Sequence, residues 1–145
     1  MPSPHVITPS QLARRIGLPD APVLIDVRMP EDAAADPRSL PGSRRAAHDD
    51  VADWAEGWRG REVVVICQKG LKLSHGVAAW LRHHGAEAET LEGGFQAWAE
   101  AGLPAADVLS PDGLHHNDRG YACLAEALAG ALLEAAGVRT VVAGR

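Results

Sequence analysis

The chain has 145 residues, 46% of them apolar, and a formal net charge of −5. That is enough apolar material for one ordinary domain plus an appendage. The acidic balance, with no basic stripe, excludes a nucleic-acid or membrane-surface role. No apolar run reaches the roughly 18 residues of a bilayer span, and no charged and apolar leader opens the chain, so no secretory signal is expected. Two cysteines, Cys67 and Cys123, stand far apart in unlike contexts. They suggest a reducing cytoplasm and no disulfide framework. No Cys/His spacing suits zinc, and His83 and His84 are helix neighbours pointing different ways. No metal or other cofactor is expected.

In chain order, Val6-Ile7 reads as a short edge strand. Thr8-Pro9-Ser10-Gln11 has the form of a capping box: a threonine N-cap, proline at the first helical position, glutamine three residues on. The helix it opens carries Leu12 and Ile16 and stops at Gly17. Pro22 precedes a strand from Val23 to Val27, in which Asp26 is expected to bond loop backbone. Arg28 either pairs with Glu31 or lies near the site. Residues 29–47, rich in Pro, Asp and Ala, read as a loop. Asp49 or Asp50 caps a short helix with Val51, Trp54, Ala55 and Trp58 on one face, the tryptophans facing the core.

The centre of the chain is Glu62 to Leu81. Val63, Val64, Val65 and Ile66 form an unbroken β-branched run, as expected for a strand covered on both faces. Cys67 stands where that strand ends, and Gln68-Lys69-Gly70-Leu71-Lys72 follows. Ser74 is placed as the N-cap of a helix that presents Val77, Trp80, Leu81 and His84 and ends near Gly85. Such a position favours a thiolate, because a helix N-terminus and loop N–H groups converge on it. The chain has two lysines, Lys69 and Lys72, against twelve arginines. Both flank Gly70, which suggests an anion pocket around the sulfur. His75, one turn on, is read as exposed, because a thiolate formed this way needs no added base. Ala88 to Leu91 reads as a strand leading into Gly93-Gly94, followed by a helix from Phe95 to Ala101 with Phe95 and Trp98 inward. Strands alternating with helices imply parallel βαβ units, and ligands in such sheets bind at the carboxyl ends of strands.

These residues carry a family resemblance. Cys67 with its glycine-containing turn and helix resembles the active-site loop of the rhodanese (sulfurtransferase) family. Leu24-Ile25-Asp26-Val27-Arg28-x-Pro30-Glu31 resembles its first-strand signature. Pro41-Gly42-Ser43 is similar to its proline-glycine turn, with Ser39-Leu40 where the family often has His-Ile. Leu91-Glu92-Gly93-Gly94-Phe95-x-x-Trp98 with Ala101-Gly102-Leu103-Pro104 resembles its closing motif. The resemblance spans roughly residues 5–106. It implies an α/β fold, a parallel sheet flanked by helices, in a domain over 1–106, with a C-terminal loop-helix extension over 107–145. It also implies a sulfurtransferase in which Cys67 takes a sulfane sulfur from a small anionic donor and passes it to cyanide or a thiol. Gln68, Lys69, Gly70, Leu71 and Lys72 would form the substrate cradle. The family more often has arginine where Lys72 stands, so a point charge replaces a fork there.

From Ala105 the pattern ends. Ser110 to Tyr121, with Asp112 and His115 at Asp-x-x-His spacing, then an alanine-leucine helix over about 119–136, resembles the last block of the GDSL/SGNH hydrolases. The nucleophile block of that family is missing, and a triad without a nucleophile does nothing. The tail is therefore expected to pack on the domain or on a second subunit, which leaves a homodimer open, with Cys123 facing a core. Two rival functions remain. A Cys-based phosphatase or arsenate reductase needs an arginine six residues after the cysteine, where Leu73 stands. A non-catalytic persulfide carrier or docking module would also need Cys67.

Overall fold

The structure is a computed structural model that describes residues 4–105. The segment with Asp112, His115, Cys123 and the expected 119–136 helix lies outside the described residues. Within them the chain runs β1 (Val6–Ile7), α1 (Pro9–Ala13), β2 (Val23–Asp26), α2 (Pro30–Ala35), β3 (Arg44–Arg45), α3 (Val51–Trp54), β4 (Glu62–Ile66), α4 (Lys72–His83), β5 (Glu87–Leu91) and α5 (Gly94–Glu100). Single 3-10 turns, His48–Asp50 and Ala55–Trp58, flank α3. The strands form one parallel sheet in the order β1-β5-β4-β2-β3, the α/β architecture expected from the alternation.

β4 is central, and its period-2 alternation divides the core. Val63 and Val65 join Ile25, Val77, Ala78 and Leu81 in a cluster on the α3–α4 side. Val64 and Ile66 join Leu12, Leu24, Leu91, Phe95 and Trp98 on the α1–α5 side. Burial on both faces explains why this strand is an unbroken aliphatic run. Each fully buried Phe or Val side chain contributes about 1.5–3 kcal/mol.

The capping signals hold at α1, but the helix ends at Ala13, short of the expected Ile16 and Gly17, and residues 14–17 form a turn. The Thr8 hydroxyl accepts from the Gln11 N–H, and Gln11 Oε1 accepts from the Thr8 N–H. Other expectations change. Residues 29–47 are not all loop: Pro30 opens α2 at a first-turn position with Glu31 and Asp32 beside it, a favourable start for a helix dipole. Arg44–Arg45 pairs with Ile25–Asp26 as a two-residue edge strand, too short to leave a periodic signal. Neither Asp49 nor Asp50 makes a side-chain cap bond at the α3 turn. Trp54 and Trp58 pack against the core edge half-buried. Trp54 Nε1–H donates to the Ala47 carbonyl, and the Arg44 guanidinium lies over the Trp58 ring. On α4, Val77 and Leu81 are buried while Trp80 stays 44% exposed, stacked on His84.

Candidate active site

Cys67 follows β4 at the carboxyl end of the sheet and is 4% exposed. The chain then reverses within four residues to start α4 at Lys72. Gly70 makes this possible. Its φ is +68°, and a Cβ there would stand 2.6 Å from the Leu91 carbonyl oxygen and 2.7 Å from the Gly94 nitrogen. Only glycine fits that backbone. Turned this way, the Gly70 N–H donates to Cys67 Sγ at 3.2 Å.

Ser74 is not the N-cap. The N-cap is Leu71, three residues earlier; α4 begins at Lys72, and Ser74 falls in its first turn, fully buried. The Cys67 thiol donates to Ser74 Oγ at 3.1 Å. The Ser74 hydroxyl in turn donates to the Leu71 carbonyl at 3.2 Å, the back-bond common for serine within a helix. The sulfur therefore meets two protein dipoles, one backbone and one hydroxyl, at the amino end of a 12-residue helix.

The loop is held from behind by the start of α5. The Phe95 N–H donates to the Cys67 carbonyl at 2.9 Å, and the Gln96 N–H to the Gln68 carbonyl at 3.0 Å. Two orphan donors of a helix N-terminus thus meet two carbonyls of the loop. Gly93 and Gly94, both at positive φ, bring α5 this close. Sequence reasoning placed this pair in a closing motif without a role. Its only signal was two adjacent glycines ahead of a helix.

A cavity of about 330 Å³ opens over the sulfur. Cys67, Gln68 and Lys69 form its floor; Met29, Leu71 and Leu73 give apolar walls, and Asp32 of α2 completes it. Leu71 is 61% exposed. The Gln68 side-chain oxygen is buried without a partner among the described residues. Of the two lysines only Lys69 lines the cavity. Lys72 and His75 are exposed on the first turn of α4 and are absent from the lining. The expected two-lysine pocket is thus lined by one lysine, Lys69, and one carboxylate, Asp32. Of the five cradle residues Gln68, Lys69, Gly70, Leu71 and Lys72, the first four border the sulfur or its cavity and Lys72 does not.

Arg28 reaches neither Glu31 nor the sulfur cavity. Its guanidinium is buried and paired with Asp26, donates to the carbonyls of Asp36 and Arg38, and lies 4.1 Å over the Phe95 ring. Asp26 also accepts from the Arg28 N–H, the loop-backbone bond expected of it. A larger hollow, about 460 Å³, lies at the opposite end of the sheet beside Arg15, Glu62, Arg82 and Glu89. It holds no nucleophile, and the smaller cavity over Cys67 is the candidate site. Among the described residues no cluster of His, Cys, Asp or Glu could hold a metal, and no helix is long and apolar enough to cross a membrane.

Comparison with known proteins matches residues 8–101 to the rhodanese-like domain family. Among solved structures, a rhodanese-related protein from Thermoplasma volcanium is 26% identical, with a TM-score of 0.61, over 71% of this chain and 98% of that one. A protein of unknown function from Rhodopseudomonas palustris, described as a possible tyrosine phosphatase, is 25% identical, with a TM-score of 0.60, over 69% of this chain and 83% of that one. A thiosulfate sulfurtransferase from Pseudomonas aeruginosa is 26% identical, with a TM-score of 0.59, over 70% of this chain but 19% of that one. No curated protein matches the chain. The matched span takes in every strand from β2 to β5 and the whole Cys67 loop, and the chain belongs to the rhodanese-like domain family.

Proposed function

We propose that this protein is a sulfurtransferase that carries sulfur on Cys67. The observation that carries this reading is the environment of Sγ: it accepts the Gly70 N–H, touches the Ser74 hydroxyl and faces a cavity at the amino end of α4. Helix dipole and oriented donors favour negative charge on the sulfur. The Cys67 thiolate attacks the sulfane sulfur of thiosulfate or of a persulfide. The new S–S bond forms as the old one breaks, and its electron pair leaves on sulfite or a thiolate. The Cys67 persulfide then gives its outer sulfur to a thiolate or cyanide, and the Sγ thiolate returns. This is covalent, two-stage chemistry. Gln68, Lys69, Gly70 and Leu71 form the cradle, and a reducing cytoplasm suits a free thiol.

The phosphatase reading, raised again by the Rhodopseudomonas palustris neighbour, is disfavoured by Leu73. This side chain lines the cavity where an oxyanion would need a guanidinium fork. A non-catalytic carrier or docking module shares the persulfide step and differs in turnover. The test is mass spectrometry with turnover. Thiosulfate should add one sulfur atom's mass to the full chain, and cyanide should then release thiocyanate repeatedly. Cys67→Ser should abolish both, and Cys123→Ser neither. Turnover retained in Cys67→Ser overturns the proposal. A stable adduct without turnover supports the carrier.

A further inference from the structure

We propose that Ser74 is a catalytic residue whose hydroxyl reverses its hydrogen bond as charge forms and disappears on Cys67 Sγ. In the structure the thiol donates to Ser74 Oγ and the Ser74 proton goes to the Leu71 carbonyl. A thiolate can no longer donate. Rotation about the Cβ–Oγ bond turns the Ser74 O–H onto the sulfur, which becomes an acceptor at the same 3.1 Å separation. A hydroxyl bound to an anion is a stronger contact than a thiol bound to a hydroxyl. The rotation strands nothing, because the Leu71 carbonyl keeps the His75 N–H at 3.1 Å. Ser74 is fully buried and Cys67 nearly so, so bulk water does not compete for the contact between them.

The role follows the charge through both halves of the reaction and rests on the sulfur-transfer reading only there. As Sγ attacks the donor, its lone pair becomes the new S–S bond and the hydroxyl swings back to Leu71. As the acceptor takes the outer sulfur, the S–S pair returns to Sγ, and the hydroxyl swings forward to meet it. The proton lost by the resting thiol goes to solvent base.

The charged and titratable groups around the sulfur are few. Lys69 from the loop and Asp32 from α2 line the cavity, and Lys72 and His75 sit exposed on the first turn of α4. Asp26 and Arg28, at the end of β2, are paired with each other. The β5–α5 turn presents backbone and glycine to the loop. Among the described residues, none of these charged or titratable side chains hydrogen-bonds to Sγ; its side-chain partner is Ser74.

The test is the pH dependence of Cys67 alkylation by neutral iodoacetamide, read by mass on the full chain for wild type, Ser74→Ala and Ser74→Thr. The midpoint should rise by about one pH unit in Ser74→Ala, as expected for losing one hydrogen bond to an anion. It should stay near wild type in Ser74→Thr, which keeps the hydroxyl. Activity of Ser74→Ala with thiosulfate should fall about tenfold on the acid side of that midpoint and recover above it. An unchanged midpoint in Ser74→Ala overturns the proposal, as does an activity loss equal at every pH, which marks a packing role. Should Ser74→Thr not fold, the alanine variant, one atom smaller than serine, still decides. A shifted midpoint in a protein that takes no sulfur from thiosulfate upholds Ser74 and overturns the sulfurtransferase reading alone.

Discussion

A Cβ on Gly94 would stand 2.3 Å from the carbonyl oxygen of Cys67. Gly94 is 27 positions along the chain from the sulfur-bearing residue, yet the contact sets the shape of the loop. The same Cβ would lie 2.5 Å from the Gly70 nitrogen, whose N–H binds Sγ. Gly94→Ala therefore displaces the sulfur's backbone donor and breaks the Phe95-to-Cys67 bond. We expect a loss of about 3 kcal/mol of stability, from overlap and left-handed strain together, and at least tenfold less sulfur transfer. Gly102 has a similar φ of +69° with nothing within 4 Å. Gly102→Ala should cost only the strain, about 1 kcal/mol, with activity kept. Urea unfolding and a thiocyanate assay compare the two, and equal effects would refute the clamp.

The cavity lining ranks the lysines. Lys69 faces the substrate space and Lys72 does not. Lys69→Ala should lose about five- to tenfold in kcat/KM for thiosulfate, the effect of one partly exposed charge contact. Lys72→Ala should lose less than about twofold. Asp32→Asn removes a negative charge from the same cavity and should raise kcat/KM for this dianion about two- to fivefold. Added salt should narrow all these differences. Equal losses at the two lysines would mean that loop charge acts without regard to position.

Arg28 is held by a buried partner and two carbonyls. Removing one member of a buried ion pair leaves the other charge uncompensated, at a cost of about 3–5 kcal/mol. Arg28→Ala should show that loss in urea unfolding. Arg28→Lys should recover little, because an ammonium cannot reach Asp26 and both carbonyls with a planar fork. A loss below about 1 kcal/mol for Arg28→Ala would mean that water already satisfies Asp26.

Gly76 lies within α4, is exposed, and has nothing within 4 Å of an added Cβ. Its φ is not positive. Gly76→Ala should therefore stabilise the protein by about 0.5–1 kcal/mol through the unfolded chain's lost freedom. Activity should be unchanged. A lower Tm in thermal unfolding would show that the helix needs flexibility here.

Much of this was legible along the chain because it is local or periodic. The β-branched run of β4, the capping box at Thr8, the inward Phe95 and Trp98, and the cysteine at a strand end ahead of a helix each depend on neighbours within a few residues. From them the sequence alone determined an alternating α/β chain, a parallel sheet and one candidate nucleophile. The contacts around that nucleophile are of another kind. Gly94 against Cys67, Arg28 buried over Phe95, and Asp32 facing the sulfur cavity join segments many residues apart. They exist because β2, β4 and β5 pair in one register and bring their carboxyl ends together. Even Ser74, close in sequence, lies in the first turn and not at the cap: the helix starts three residues earlier than a Ser74 cap implies, which turns its hydroxyl from the helix end to the sulfur. Helix starts follow from how the preceding loop is held. Here Gly93-Gly94 and the start of α5 hold that loop, so only the tertiary structure decided which groups face the sulfur.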